Sequence, residues 1–257
     1  MGTKNILLCF DERLVVQAEV LMMGLRENLT GQLAIYSVVT NKTFVEFSES
    51  LFKFASELNF QLFLQKETDY FSGLKSSARS TIAYEKFLFP RFLPDHVKKI
   101  LYLDIDIVPI RNLDDLFDLE FDEPFAAVAL DDFISRRFQR WFKTANGGVN
   151  FFNVESYKNA KCMEQSLHYI NNNLNPTELY TDLVLNHILY DKWKKLDSMY
   201  NTSYLKAMTT FNWRKRRKIR LVHFIGSKKP WKQHFKAPWN LRASHLYNRR
   251  NRALMKY

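Results

Sequence analysis

Two short runs near the start of the chain, Lys4 to Phe10 and Leu33 to Val39, are dominated by apolar residues with no polar alternation. Between them, Arg13 to Glu27 carries Val16, Val20, Met23 and Gly24 at helical spacing. A strand without alternation is buried on both faces, which is the condition of a parallel strand covered by helices. Strand, helix, strand is thus the βαβ unit of an α/β domain. The pattern continues, with Phe44, Phe47, Leu51, Phe54 and Leu58 on a helical period from Thr43 to Leu58 and a further strand from Phe60 to Leu64. The first hundred residues are expected to be doubly wound.

The rest of the composition narrows the class. With 257 residues, 46% of them apolar, the chain can bury a core; 7 Gly and 7 Pro exclude collagen-like and low-complexity chains. The longest apolar run near the N-terminus, Ile6 to Phe10, meets Asp11 and Glu12 at once, so neither a signal peptide nor a membrane span is expected, and Ile6 stands where N-myristoylation wants Ser or Thr. Two cysteines, Cys9 and Cys162, are too few for a disulfide framework, and a reducing compartment is the default. The sequons at Asn28, Asn41 and Asn201 carry no functional reading without a secretory signal.

The net charge of +11 is localised. Between Arg214 and Tyr257 lie 15 of the 38 Lys and Arg and no Asp or Glu, so the first 213 residues hold 23 basic against 27 acidic residues. A basic block of this kind points to an anionic contact. Its dense parts are Arg214 to Arg220 and Leu241 to Tyr257, where Leu246, Tyr247, Leu254 and Tyr257 recur at near-helical spacing, as in an amphipathic helix on an anionic membrane. A merely solvated basic face is the bland alternative. No nucleic-acid motif accompanies the charge, and no nucleic acid is expected.

Further along, Lys98 to Leu103 reads as a strand that runs into Asp104-Ile105-Asp106, and Asp114 to Phe117 restarts a helical turn. Carboxylates at a strand end sit where open α/β sheets bind ligands. In extended backbone, residues i and i+2 point the same way, so Asp104 and Asp106 can converge on a hard cation such as Mg²⁺ or Mn²⁺. Two chemistries use such a pair. One is phosphoryl transfer of the haloacid-dehalogenase type, whose string Asp104-Ile105-Asp106-Ile107-Val108 fits; the other is nucleotide-sugar transfer, with the metal on the leaving diphosphate. Later, Asn175-Pro176-Thr177-Glu178 is a helix start with a capping box. A helix from there to about Tyr190 would align Glu178, Asp182 and Asn186.

The string His223-Phe224-Ile225-Gly226-Ser227-Lys228-Lys229-Pro230-Trp231 separates the two chemistries. Together with Tyr102 to Asp106 and Asn146 to Asn153, it resembles glycosyltransferase family 8 over roughly residues 4 to 232. The resemblance implies an α/β GT-A nucleotide-diphospho-sugar transferase fold, a single Rossmann-like mixed sheet flanked by helices. That domain is expected to span 1–232, with a basic, partly amphipathic tail at 233–257. The implied activity is retaining transfer of galactose or glucose from a UDP-hexose to a glycan acceptor, with lipopolysaccharide core or another surface glycolipid in view. Asp104, Asp106 and His223 are implied ligands of manganese(II) or magnesium, and Lys229 an electrostatic partner of departing UDP. Asp11, Arg13, Lys86, Asn146 and Gly226 are implied nucleotide-sugar contacts, Gly226 by letting backbone approach the phosphate. Asp131 and Asn186 are implied to bind acceptor or sugar hydroxyls.

Three positions depart from the family pattern. Lys86 stands where Arg is usual, which keeps the charge and loses the bidentate fork. Asp182 stands where Gln is usual on the reactive face of the sugar, and a carboxylate there could stabilise an oxocarbenium-like state or form a transient adduct. The Asn-Ala-Gly turn is Asn146-Gly147-Gly148. An anionic-lipid-bound acceptor would suit the basic tail, giving a cytoplasmic enzyme peripheral on the inner face of the membrane, in a bacterial or viral setting. The rival reading is a catalytically weak transferase fold that binds partners through its tail.

Overall fold

The structure is a computed structural model that describes residues 2–71, 81–129, 145–172, 181–188, 192–232 and 242–255. Its strands are β1 (Lys4–Phe10), β2 (Leu33–Val39), β3 (Gln61–Lys66), β4 (Lys99–Leu103), β5 (Ile107–Pro109), β6 (Phe125–Ala129), β7 (Ala145–Asn153), β8 (Lys194–Lys195), β9 (Thr202–Ser203) and β10 (Leu221–His223). The α-helices are α1 (Val15–Asn28), α2 (Asn41–Glu57), α3 (Asp114–Phe117), α4 (Val154–Asn159), α5 (Cys162–Asn172), α6 (Thr181–Ile188), α7 (Tyr204–Thr209), α8 (Trp213–Lys218) and α9 (Arg242–Leu254). A 3-10 segment, Thr81–Arg91, precedes β4.

Seven strands form a mixed sheet in the order β3-β2-β1-β4-β7-β6-β8, and β5, β10 and β9 form a second, small sheet. The chain winds outward from β1 through β2 and β3, then returns to place β4 on the other side of β1, parallel to it. That reversal opens a crevice beyond the ends of β1 and β4, the position at which α/β sheets bind ligands. β7 then pairs antiparallel with β4, with Leu103 opposite Val149. The sequence expectation for β1, β2, the α2 period and β4 is met; the β3 expectation shifts by a residue or two towards Lys66.

Strand alternation sorts the core into two layers. Ile6, Leu8 and Phe10 of β1, with Leu101 and Leu103 of β4, face α1 and α2. Leu7, Cys9, Ile100 and Tyr102 face the 3-10 segment, α4, α5 and α6. On helix α1 the expected face is met in part: Val20 and Gly24 are buried, Val16 is 45% exposed, and the buried side also takes in Val15, Ala18, Met22 and Leu25. The single stripe fails because α1 is covered twice, by the sheet and by α9.

Helix α9 falls in the basic tail, and its apolar side turns inward. Ala243 and Tyr247 are buried with Val108, Val222 and Phe224 of the small sheet, and Leu246 and Leu254 pack at the edge of this cluster. Arg250, 1% exposed, donates to Glu27 Oε2 at 2.8 Å and to the Pro109 carbonyl at 3.0 Å. Of the residues expected to lie on a membrane, Leu246, Tyr247 and Leu254 are thus packed on the body, Tyr257 lies outside the described residues, and Arg249 and Arg252 face outward. No described helix is long and apolar enough to cross a membrane.

Candidate active site

The carboxylate pair lies at the C-terminal end of β4. Asp104 N donates to the Gly148 carbonyl at 2.8 Å, and Ile107 N donates to the Asp104 carbonyl at 3.2 Å, so Asp104-Ile105-Asp106 is a tight turn. The extended geometry expected for the pair is therefore corrected. The side chains converge because the turn folds Asp106 back, while β10, paired antiparallel with β5, sets His223 opposite Ile107. One ligand atom from each of Asp104, Asp106 and His223 lies within 4.8 Å of the others. His223 Nε2 is 3.0 Å from Asp106 Oδ1 and 3.7 Å from Asp104 Oδ2.

A chain of amides fixes which nitrogen His223 presents. Gly148 N donates to Asn146 Oδ1 at 2.9 Å, and Asn201 Nδ2 donates to the same oxygen at 2.7 Å. With its amide nitrogen so engaged, Asn201 offers Oδ1 to His223 Nδ1 at 2.9 Å. The proton belongs on Nδ1, and the Nε2 lone pair of the neutral ring points at two carboxylates. With the ring neutral, the buried Asp106 Oδ1 has no donor to accept from. Three electron-pair donors aimed at one another repel unless a cation lies between them, and two oxygens with one imidazole suit Mn²⁺ or Mg²⁺. The residues fit the ion.

Neighbouring groups tune this cluster. Burial alone would raise the Asp106 carboxyl, but His223 and Lys229 outweigh it and hold it at about 2. Burial works to lower His223, and the Asp106 and Asp104 carboxylates overcome it and raise the ring. Lys229 is ion-paired with Asp106 and donates to the Phe224 carbonyl at 2.7 Å. Tyr102, two residues before Asp104 on the same strand face, donates its hydroxyl to Asp104 Oδ1 at 2.7 Å.

A second group lies beside the first, built on β7 and α6. Gly147 N donates to Asp182 Oδ1 at 2.7 Å, and Lys86, fully buried, donates to the Gly147 carbonyl at 2.8 Å. Burial pushes the Asp182 carboxyl up, opposed by Lys86; burial likewise lowers Lys86, opposed by Asp104 and Asp182. Asn186 clasps β7 at Ala145, accepting from its N–H at 2.7 Å and donating to its carbonyl at 2.8 Å. Its amide is therefore engaged with backbone, which makes Asn186 a support of the Asn146-Gly147-Gly148 turn.

The remaining expectations divide. Asp11, buried just beyond the end of β1, accepts from Arg13 Nη2 at 2.6 Å and from the Arg13 backbone N–H at 3.1 Å. Gly226 has φ +85°, and a Cβ there would meet nothing within 4 Å. Glycine is needed at that turn for its backbone conformation. Close approach within the protein is the rule at Gly148, where a Cβ would fall 2.3 Å from His223 Cε1 and 2.9 Å from Asp104 Oδ2. Asp131 and the capping box at Asn175 to Glu178 lie outside the described residues. Sequence reasoning missed Asn201, which it passed over as a sequon, and the roles of Tyr102 and Gly148; only Tyr102 carried a signal, its two-residue offset from Asp104.

The model of glycosyl transferase family 8 matches residues 5–234. The chain belongs to this family. General stress protein A of Bacillus subtilis is 28% identical over 199 residues, 69% of this chain and 68% of that protein. Glycosyltransferase GlyA of Streptococcus pneumoniae is 30% identical over 207 residues, 77% of this chain but 28% of that protein, so this chain spans little more than a quarter of it. Among solved structures, the galactosyltransferase LgtC in complex with donor and acceptor sugar analogues superposes with a TM-score of 0.76 at 16% identity, covering 97% of this chain and 95% of that one. GlyE of Streptococcus pneumoniae does so with a TM-score of 0.69 at 19% identity, over 96% of this chain and 60% of that one. These likenesses show the GT-A fold; the family match makes the chain a glycosyltransferase, and it leaves the haloacid-dehalogenase reading without support.

Proposed function

We propose that this chain is a metal-dependent retaining hexosyltransferase, which moves galactose or glucose from a UDP-sugar to a hydroxyl of a glycan acceptor. The observation that carries the reading is the convergence of Asp104, Asp106 and His223 in a tautomer set by Asn201. A bound divalent ion supplies Lewis-acid stabilisation of the departing diphosphate. Asp104, steadied by Tyr102, and Asp106 would hold it, with His223 as third ligand. The Lys229 ammonium stands at the same carboxylate, placed to meet negative charge on the leaving oxygen.

In the transfer, the bond from the anomeric carbon to the diphosphate oxygen breaks, a new bond forms to the acceptor oxygen, and the hydroxyl proton leaves with the diphosphate or to water. Positive charge grows at the anomeric carbon. Asp182, held by the Gly147 N–H, is the carboxylate placed to oppose it, and Lys86 braces the turn from behind. The acceptor in this reading is a glycan or glycolipid, and the outward basic residues of the C-terminal region support a peripheral place on the cytoplasmic leaflet.

The test is UDP release from a panel of UDP-sugars with Mn²⁺, for the wild type and Asp106→Ala, with soluble and lipid-linked glycan acceptors. Ion-dependent turnover of one donor that disappears in the variant supports the reading and names the sugar. A folded protein that releases no UDP from any donor overturns it.

A further inference from the structure

Strand β10 serves two places at once. His223 faces the carboxylate cluster, and the alternation of the strand sends the preceding Val222 to the opposite face of the small sheet. On that side lies a cavity of roughly 300 Å³ between the end of β5, α7, α8 and the first turn of α9. Four arginines, Arg111, Arg216, Arg217 and Arg242, are among its lining residues, with Ile110, Ile219 and Val222 as apolar neighbours. Among the described residues, the lining contains no carboxylate.

The charge is confined by the fold. Arg111 is anchored by donating to the Ile219 carbonyl at 2.9 Å. Burial, then the proximity of Arg242, Arg220 and Arg217, lowers its affinity for its proton. Of those three, Arg220 is matched by Asp115 at 3.0 Å. Arg217 lies over the Trp213 ring, 5.0 Å from its centre, so the fork is oriented by stacking. Trp213 is 60% exposed, and Phe211, two residues before it, 95%. Like charges brought together around a concavity favour an anion, and planar forks converging from separate elements match the oxygens of phosphate.

We propose that this cavity is a phosphate-binding site, separate from the donor site, in which Arg111, Arg217 and Arg242 take a phosphate ester and Trp213 covers the group attached to it. Such a ligand has two sources, the headgroup of an anionic phospholipid or a soluble phosphate. The proposal is independent of the transfer reading, because the cavity shares no side chain with Asp104, Asp106, His223 or Lys229.

The experiment uses the full chain with inorganic phosphate and with vesicles of phosphatidylcholine, alone or mixed with phosphatidylglycerol. Phosphate is expected to raise the melting temperature of the wild type. Arg217→Gln/Arg242→Gln should weaken its apparent affinity about tenfold or more, and Arg242→Gln alone, at an exposed position, should give a smaller loss with the fold intact by circular dichroism. Lys215→Gln/Lys218→Gln, which removes the same charge outside the cavity, should leave it unchanged. Binding to phosphatidylglycerol vesicles that follows the same order of variants assigns the headgroup, and stabilisation by phosphate without vesicle binding assigns a soluble ester. Equal losses in the two double variants, or no response of the wild type to phosphate or vesicles, would overturn the site in favour of diffuse surface charge.

Discussion

Asn201 Oδ1 stands 2.9 Å from His223 Nδ1, and this contact determines which face of the imidazole the carboxylates meet. Asn201 touches neither carboxylate, so its influence is exerted through ring orientation alone. Substitution Asn201→Ala should weaken Mn²⁺ binding about 10- to 100-fold, the usual consequence of removing a partner behind a metal-bound histidine. Calorimetric Mn²⁺ titration checks this; an unchanged affinity would mean that packing alone orients the ring.

Gly148 has the same role by absence. A methyl group there would overlap the His223 ring and crowd Asp104, and the ring cannot retreat without giving up Asn201. Gly148→Ala is expected to retain the far-ultraviolet spectrum of the wild type and to lose Mn²⁺-dependent UDP release. Full activity in this variant would show that β7 can shift away from β4.

For Asp182 stability and activity should part company. Burial raises its carboxyl, so the folded state holds the proton more tightly than the unfolded one. Ionised, the group therefore costs stability once pH exceeds the unfolded value, and Asp182→Asn keeps an oxygen for the Gly147 N–H without that cost. The variant should melt at the wild-type temperature or above it at neutral pH, with turnover lower by about 100-fold. In the wild type, activity should fall on acidification at a higher pH than an ordinary carboxylate would give. A less stable variant, or a fully active one, contradicts the assignment.

Asp114 illustrates the opposite sign. Burial would raise its carboxyl, but Lys4, Thr30 and Asn112 all donate to it and bring it well below the usual carboxylate range. The stability it contributes is present above the unfolded value and lost as pH falls through the folded one. Asp114→Asn should cost about 2 to 4 kcal/mol at neutral pH, because it leaves the buried Lys4 ammonium without its carboxylate. The deficit should close in acid, as a urea denaturation series across pH would reveal.

The legible parts of this protein are those whose chemistry is periodic or local. The apolar runs of β1 and β2 and the Phe-rich α2 read directly, since parallel strands and one-sided helices leave a repeating signal. The cluster of Asp104, Asp106 and His223 draws on two motif strings that the sequence shows plainly. What the sequence hid depends on long-range contact: the turn that bends Asp106 back is sealed by Gly148, and Asn201 reaches His223 only because β9 lies beside β10. The double cover of α1 by sheet and α9 blurred its stripe for the same reason, and α9 turns Ala243 and Tyr247 into core, with Leu246 and Leu254 packed at its edge.

The clasp of Arg250 on the Pro109 carbonyl has a consequence in time. Pro109 ends the strand that starts just after Asp106, and its pairing with β10 also places His223. During synthesis, the four parallel strands and their helices can assemble as soon as they emerge, because N-terminal regions fold first. The ion site has to wait until Arg250 has been made. A nascent chain of this transferase is therefore expected to gain its first strands early and its chemistry only once α9 has emerged.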